Sequence, residues 1–557
     1  MSDPRWIKPI YGKIDGQDYL GLRLVQERIV GHLLPGIITI TPRVRYYAFY
    51  SWLLVEYAQQ HPAGWSFNHF VRRREQIFGL ANIVHAGTVA GLAGSQKFIA
   101  HWQQHENKPL LPLDVEDYLQ AARRGYGLYA GVMRSLGLVT EHDNGQGWEV
   151  TPKGIELAGA FAHAIGETEY YRRRHHCDEA EKIETAVLRQ YGAACSLDTL
   201  SGRDDQLPIL ECLIALDAPL APDPREPESS PLGNMRGTLG ILLDMQNQVS
   251  HAVDETFFRR HVLYGDCADN NVYRPADELH LVLSQWQIFQ IRDLFTYALY
   301  ALWTYFLYWL KQRERASFEE FVEHVDEALG DTAVAKDLNL FLKHIPICPQ
   351  SLQQHLSDLL DAAGIPPGEW PSRYQAFARQ SLSPLNAQAL YEKLKGYQPR
   401  QSQHYLGTTW FMLMSLYCQL MGLPRDTAAW HWAEEGDVRR RSLALFVEGI
   451  SQRCEIKATV LETICWLFRD YVIAQHTVAS LDKWRQRKAN TFHFRYEEGW
   501  FEFARDGWAD LSASRFRQAY DMLRDLDLFQ FEEEQAKLTP LGQQTLQRIR
   551  ESYHVQS

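Results

Sequence analysis

Few stretches of this chain set reactive side chains at a spacing that chemistry would need. Glu455-Ile456-Lys457 reads as E-x-K. A metal-dependent nuclease uses that pattern on adjacent strands, where a carboxylate holds the ion and a lysine is positioned beside it. The surrounding CEIKATVLETICWLF is helical in pattern, so the motif is read as incidental. His175-His176-Cys177-Asp178 follows Arg172-Arg173-Arg174. Adjacent residues of a helix point in different directions, so these are expected to form a solvated, partly basic face and not one metal's ligand set. Gly91, Gly94 and Ser95 in VAGLAGSQKF lack the GxxxxGK(S/T) spacing that cradles phosphates, and read as a turn or a packed helix. There is no GxGxxG after a strand, no HExxH and no GxSxG, which removes the usual signatures of dinucleotide binding, zinc hydrolysis and serine acyl transfer. No catalytic residue, cofactor or metal ligand is assigned, and the chain is expected not to be an enzyme.

The elements that would carry any site are mostly helical. A length of 557 residues exceeds one ordinary core, so several domains are expected. A hydrophobic fraction of 45% and a charged fraction of 23% are globular values, which argues against long disorder. The 16 Trp point to helix–helix cores with aromatic anchors. The eight Cys are scattered without a CxxC, as buried thiols of a reducing cytoplasm would be, and MSDPRWIKPI has no apolar signal core. A cytoplasmic location is expected. Leu294–Leu310 and Tyr405–Leu423 are uncharged runs near the minimum spanning length. Their Thr, Tyr and Trp are spread throughout, so both, with Trp303 and Trp309, read as buried core helices and not as membrane spans.

After Thr41-Pro42, a good cap followed by a good first residue, a helix places Tyr46, Phe49, Tyr50, Leu53 and Leu54 on one face. Arg43 and Arg45 stand at its start, where the helix dipole disfavours cations. A structural ion pair or plain solvation is the expected reading, and an acidic partner the alternative.

Two segments share a grammar of helix, tight hairpin and Thr-Pro-capped helix. In the first, LYAGVMRSLG leads into LVTEHDNGQGWEV, with Asn144-Gly145 as the turn, and then TPKGIELAGAFAHAI. In the second, SRFRQAYDMLRDLD, capped by Ser512 or Ser514, leads into LFQFEEEQAKL and TPLGQQTLQRI. Side by side, Met133–Val139 answers Met522–Leu528, and Thr151-Pro152-Lys153-Gly154 answers Thr539-Pro540-Leu541-Gly542. Both read as winged helices. An aromatic hairpin, NTFHFRYEEGWFEFA, precedes the second copy and is expected to dock it on the body. The fold class is therefore mainly α, a helical body with two small α+β winged-helix modules. The expected divisions are a mostly helical segment 1–110, a winged helix 111–166, a helical connector 167–220, a Pro/Ser/Glu-rich linker 221–235, a helical bundle 236–485, and the hairpin with the second winged helix 486–557. A further break is expected at GIPPGEWP, 364–371.

A winged helix meets DNA with its second helix in the major groove and its wing on the backbone. Arg515, Arg517, Gln518 and Arg524 are the DNA-binding candidates of the second module, able to meet phosphates or guanine edges. Its wing carries Glu532-Glu533-Glu534, and Glu141 and Asp143 flank the first wing's turn beside His142. Carboxylates oppose a phosphate backbone, and a net charge of −12 excludes non-specific coating of nucleic acid. Protein docking through Glu532, Glu533 and Glu534 is the preferred expectation, and DNA contact through the helix the second.

The stretches LLPGI…TPRVRYYAFYSWLL, WQIFQIRDLFTYALYALWTYFL and HTVASLDKWRQRKANTFHFR resemble large bacterial winged-helix proteins encoded near anti-phage and anti-plasmid defence genes. The chain is also similar in plan to an accessory subunit of an SMC-type complex such as Lamassu, although it departs from kleisins in that its first winged helix is not terminal and its middle reads as folded and not disordered. The resemblance implies a non-enzymatic bridging subunit with an ATPase and a nuclease as partners, double-stranded DNA as a further one, and no membrane. The alternatives are a winged-helix transcriptional regulator and, more distantly, a metal-dependent nuclease.

Overall fold

The uncharged run Leu294–Leu310 lies inside one helix, His280–Arg313, in which Trp286, Trp303 and Trp309 are fully buried. A helix that is apolar all round must be covered on every side, and Gln403–Met421 meets the same demand, with every residue from Tyr405 to Leu420 buried. No helix among the described residues is long and apolar enough to cross a membrane. The computed structural model describes residues 18–554 except 61–64, 107, 116, 120–123, 142–147, 199, 222–230, 265–272, 331–350, 363–385, 398–402, 426, 435–440, 489 and 534. The Asn144-Gly145 turn, most of the 221–235 linker and the GIPPGEWP break thus lie outside the described residues. The architecture is mainly α, with small sheets of two or three strands.

The chain divides into two compact units that do not follow its linear order. The first comprises the chain up to Ile29, Arg259–Pro275 and Leu283–Ser512; the second comprises Val30–Phe258, Ala276–Val282 and Ala513–Ser557. Both helix–hairpin–helix modules belong to the second unit.

In the first unit Gln290 and Asp293 of the long helix are bonded by Arg259. Arg259 Nη1 donates to Gln290 Oε1 at 3.0 Å and to Asp293 Oδ2 at 2.8 Å. The aromatic hairpin also belongs here. Phe494–Glu497 and Trp500–Phe503 pair antiparallel, and Arg315–Ser317 adds a third strand beside the latter. Phe494 and Phe501 turn their edges to Phe306, at 5.7 and 5.4 Å between ring centroids. The hairpin's apolar face therefore closes the core of the first unit, where it was expected to dock the C-terminal module.

In the second unit, Arg45–Gln60 packs on Pro152–Ile165, with Phe49 and Trp52 against Phe161 at 5.8 and 5.6 Å. The arginines at the helix start are structural. Arg45 donates from Nε and Nη2 to the two carboxylate oxygens of Asp205 at 2.8 and 3.0 Å, and both side chains are buried. Arg43 bonds Asp525 at 2.9 Å and the carbonyls of Ala90 and Leu197. The unfavourable position against the dipole is offset by carboxylates brought from elsewhere in the chain. Glu75, also buried, accepts from the hydroxyls of Tyr50 and Tyr118 and from the Tyr126 amide at 2.8 Å. It thereby caps the first module's helix, Arg124–Ser135.

The two modules repeat each other bond for bond. Arg124–Ser135 leads to the hairpin Val139–Glu141 with Trp148–Val150 and then to Pro152–Ile165. Phe516–Asp525 leads to Phe529–Glu532 with Gln535–Leu538 and then to Pro540–His554. The Leu138 amide bonds Met133 O at 2.9 Å, and the Leu528 amide bonds Leu523 O at 3.1 Å. Thr151 Oγ1 donates to Gly137 O and Thr539 Oγ1 to Asp527 O, both at 2.7 Å. These bonds shift the residue-by-residue match by one from the sequence comparison. Met133 answers Leu523, and Gly137 answers Asp527, because both of the latter two take the left-handed conformation that ends the helix, at φ 70° and 59°. Asp tolerates that conformation, which hid the correspondence.

The Thr-Pro-x-Gly signature acquires a cause. The Thr151 and Thr539 amides bond the carbonyls of Leu138 and Leu528 at 3.1 and 3.0 Å, and a Cβ at Gly154 or Gly542 would overlap those carbonyls. Gly542→Ala is expected to lower stability by about 1–3 kcal/mol through forced repacking. Urea melts followed by far-UV circular dichroism check this; an unchanged midpoint would refute the steric account.

The second module draws its remaining parts from far upstream. Leu232–Gln248 packs on Pro540–His554, where Gly240 faces Ile549. The Ala536 amide bonds Ser250 O at 2.9 Å, and His251 forms one isolated bridge with Gln535 at the edge of the two-stranded hairpin. The helix Glu255–Tyr264 follows, so the order helix, bridge, helix, helix, hairpin is that of a winged helix, and the chain belongs to the first unit for most of the interval between Phe258 and Ala513.

Candidate docking site on the hairpin modules

The helix that would read DNA starts at Phe516, one residue later than its first basic candidate. Ser514 Oγ accepts the Phe516 amide at 3.2 Å, so Ser514 and not Ser512 caps the turn. Arg515 is left-handed, at φ 58°, and half-buried. Its Nη1 donates to Ile37 O at 3.0 Å. It is a staple between segments of the second unit and does not project outward. Arg524 is exposed but paired to Asp521 at 2.9 Å. Arg517 is exposed and Gln518 half-buried. Of the four DNA candidates, these two alone keep an outward face without an internal bond given to them.

The end of the same helix is tied down. Asp525 bonds Arg43, Gln206 Nε2 donates to Leu526 O at 2.8 Å, and Ser201 Oγ donates to Asp527 at 2.7 Å. Burial pushes the Asp525 carboxyl up to about 7, against the pull of Arg43 and Arg524. A helix held by such bonds at its end keeps little side-chain freedom with which to adjust to a groove.

The wing is different. In its register Phe529 faces Leu538 and Phe531 faces Ala536, while Gln530 and Glu532 lie on the other face with Lys537 and Gln535. Phe529, Ala536 and Leu538 are buried, but Phe531 is 42% exposed. Glu532 and Glu533 follow it, exposed, with Glu533 left-handed at the tip. Glu534 lies outside the described residues. Lys537 lies 3.9 Å from Glu532, too far and too exposed to neutralise the tip. An exposed ring beside carboxylates suits a protein surface with apolar and basic groups and opposes a phosphate backbone. In the first module, Arg134 pairs with Glu141 at 2.7 Å and lies over Trp148 at 5.7 Å, so that copy spends its exposed arginine on its own wing.

The other reactive patterns fall apart in space. Glu455 ends the helix Leu443–Glu455 and Lys457 is left-handed in the following turn, so E-x-K is not on strands. Cys177 and Asp178 are buried while His175 and His176 are exposed, and Asp178 pairs with Arg74 at 2.9 Å. Gly91 and Gly94 are left-handed turn residues before the helix Ser95–Gln103. Among the described residues, no group of three His, Cys, Asp or Glu is placed to hold a metal ion. Comparison with known proteins finds no family model, no curated protein and no solved structure that matches this chain.

Proposed function

We propose that the chain is a non-enzymatic bridging subunit of a bacterial anti-phage or anti-plasmid defence complex, docking through its acidic wings on protein partners, an SMC-like ATPase and a nuclease. The observation that carries the docking is the exposed Phe531 between a buried hairpin face and the carboxylates of Glu532 and Glu533. The defence setting rests on the resemblance of the three sequence stretches. Reversing Glu532, Glu533 and Glu534 to Lys is expected to abolish co-purification of the partners from native cells. Folding should change by no more than about 0.5 kcal/mol, because Glu532 and Glu533 are exposed. Normal assembly of that variant would overturn the reading.

The second reading, a DNA-binding regulator, draws on the outward faces of Arg517 and Gln518. It predicts that Arg517→Ala loses a specific double-stranded site that the triple-lysine variant keeps. The nuclease reading predicts metal-dependent cleavage of plasmid that vanishes in Glu455→Ala.

A further inference from the structure

A seven-residue π-helix, Leu467–Ile473, interrupts the first unit's run of α-helix between Val460–Trp466 and Ala474–Arg487. Such insertions are rare and occur disproportionately at functional sites. Three arginines surround this one. Arg441 has a left-handed backbone at φ 45°, lies over the Tyr471 ring at 4.7 Å, and donates from Nη2 to the π-helix carbonyl of Asp470 at 2.8 Å. Arg453 lies over the Trp466 ring at 4.1 Å. Arg469 projects from the π-helix itself with its side chain 64% exposed.

The patch is short of negative charge. Asp470 meets Arg469 at 3.2 Å. Among the described residues, Arg441 and Arg453 have no carboxylate within ion-pair distance, and the Nε of each is buried without a hydrogen bond. Arg43, Arg45, Arg74 and Arg259, by contrast, are each closed by a carboxylate. Burial pushes the Arg453 guanidinium below its usual range, Asp470 and then Glu462 draw it back, and Arg469 pushes it down, so the three cations face two carboxylates. Like charges gathered without matching counter-charge work against the compact state. A left-handed non-glycine backbone adds strain. The rings of Trp466 and Tyr471 lie 5.1 Å apart, and each holds one guanidinium by its face.

The chemistry of the group is that of a phosphate binder. Guanidinium presents a planar fork that matches phosphate oxygens, and stacking on a ring holds that fork in one orientation. Arg441 precedes the helix Leu443–Glu455 and Arg453 lies in its last turn, so the two reach neighbouring rings from opposite ends of one helix. Several forks held side by side suit the successive phosphates of a polyanion. We propose that Arg441, Arg453 and Arg469 bind the phosphodiester backbone of a nucleic-acid strand. The site belongs to the first unit and the hairpin modules to the second, and it stands whether or not the wings dock on protein.

The test is fluorescence anisotropy of the full chain with a fluorescein-labelled single-stranded oligonucleotide and with its duplex, over a salt series. The combined variant Arg441→Gln, Arg453→Gln, Arg469→Gln is expected to lose affinity about tenfold or more. The slope of log K against log salt should flatten by about 2 for the single strand, from three lost phosphate contacts. Its urea midpoint should stay or rise, since repulsion has been removed, and Arg453→Lys should keep most of the binding. If the triple variant fails to fold, Arg469→Gln alone, at an exposed position, should still show a partial loss. No salt-dependent binding by the unaltered chain would overturn the proposal. So would full binding by the folded triple variant, or binding that disappears only in Arg517→Ala.

Discussion

Arg45→Ala is expected to destabilise the second unit by about 3–5 kcal/mol, enough to leave much of it unfolded at physiological temperature. The guanidinium and the Asp205 carboxylate are both buried and joined by two bonds, and Arg45 Nη1 also satisfies Ser196 O at 2.7 Å. Alanine would strand the carboxylate away from water with no counter-charge, and that loss, more than the bond energy, sets the size of the effect. The same reasoning predicts a rescue. Arg45→Met combined with Asp205→Leu removes both charges and fills similar volume, so it should recover most of the loss. Urea titration of the parent, Arg45→Met, Asp205→Leu and the double variant measures this as a double-mutant cycle. A single variant within about 1 kcal/mol of the parent, a usual surface effect, would mean that water reaches the pair.

The second large effect is a loss of stability in mild acid, centred on His476 and His493 of the first unit. His476 Nδ1 faces Tyr19 O at 2.9 Å, and its Nε2 accepts the His493 amide at 3.1 Å. One nitrogen must donate and the other accept, so the ring is neutral. Burial, then the neighbouring His493, pushes the His476 pKa down to about 3; burial first of all pushes His493 down to about 4. Lys483 adds repulsion at both rings and Arg505 at His493. In the unfolded chain both titrate near their ordinary value of about 6.5. Below that pH the unfolded state binds protons that the folded state refuses, so stability falls as pH drops from about 6.5 towards 4 and is level above. The slope is about 1.4 kcal/mol per pH unit for each histidine, or on the order of 4 kcal/mol for both by pH 5. Burial also raises the Asp293 carboxyl in this unit, which acts in the opposite direction. Tryptophan fluorescence during urea unfolding at pH 7.5 and pH 5 reads the effect through Trp303, which lies 5.5 Å from His476 and 4.9 Å from His493. His476→Asn can still donate to Tyr19 O and accept from the His493 amide, and should remove about half of the slope, leaving the part due to His493. A midpoint that does not move with pH in the parent would refute it.

Much of the local structure was written in the sequence, and the physical reasons for its gaps are specific. Thr-Pro before Gly154 and before Gly542 marked two helix starts because cap, fixed φ and a missing Cβ are local requirements. Arg43 and Arg45 stood out because they oppose a helix dipole, yet their partners Asp525 and Asp205 are remote in the chain and carry no mark of their own. The match between the two hairpins slipped by one residue because Asp527 does the work of Gly137. The split of the second module was invisible because hydrophobic period reports a helix's buried face and not which helix covers it. Arg515 read as a free cation for the same reason: its acceptors are main-chain carbonyls at Leu34 and Ile37, which have no sequence signature. In sequence Phe531 reads only as part of a hairpin, although an aromatic beside three acids is a signal of an exposed apolar tip.

The interruption of the second module also orders events during synthesis. Gln246 Nε2 donates to Ala536 O across 290 residues at 2.8 Å, and Tyr520 returns a bond to Gln246 Oε1 at 2.7 Å. Each doubling of such a loop adds only about 0.6 kcal/mol to its closure, so the finished module loses little stability by the separation. The delay is kinetic. At roughly 5–20 residues per second, the ribosome keeps Leu232–Gln248 waiting for tens of seconds with the apolar face that Pro540–His554 will cover. In that interval the exposed stripe is open to chaperones and to wrong partners. The C-terminal wing, the surface proposed to dock, is complete only once Pro540–His554 has emerged, so a product truncated before that helix lacks the finished module.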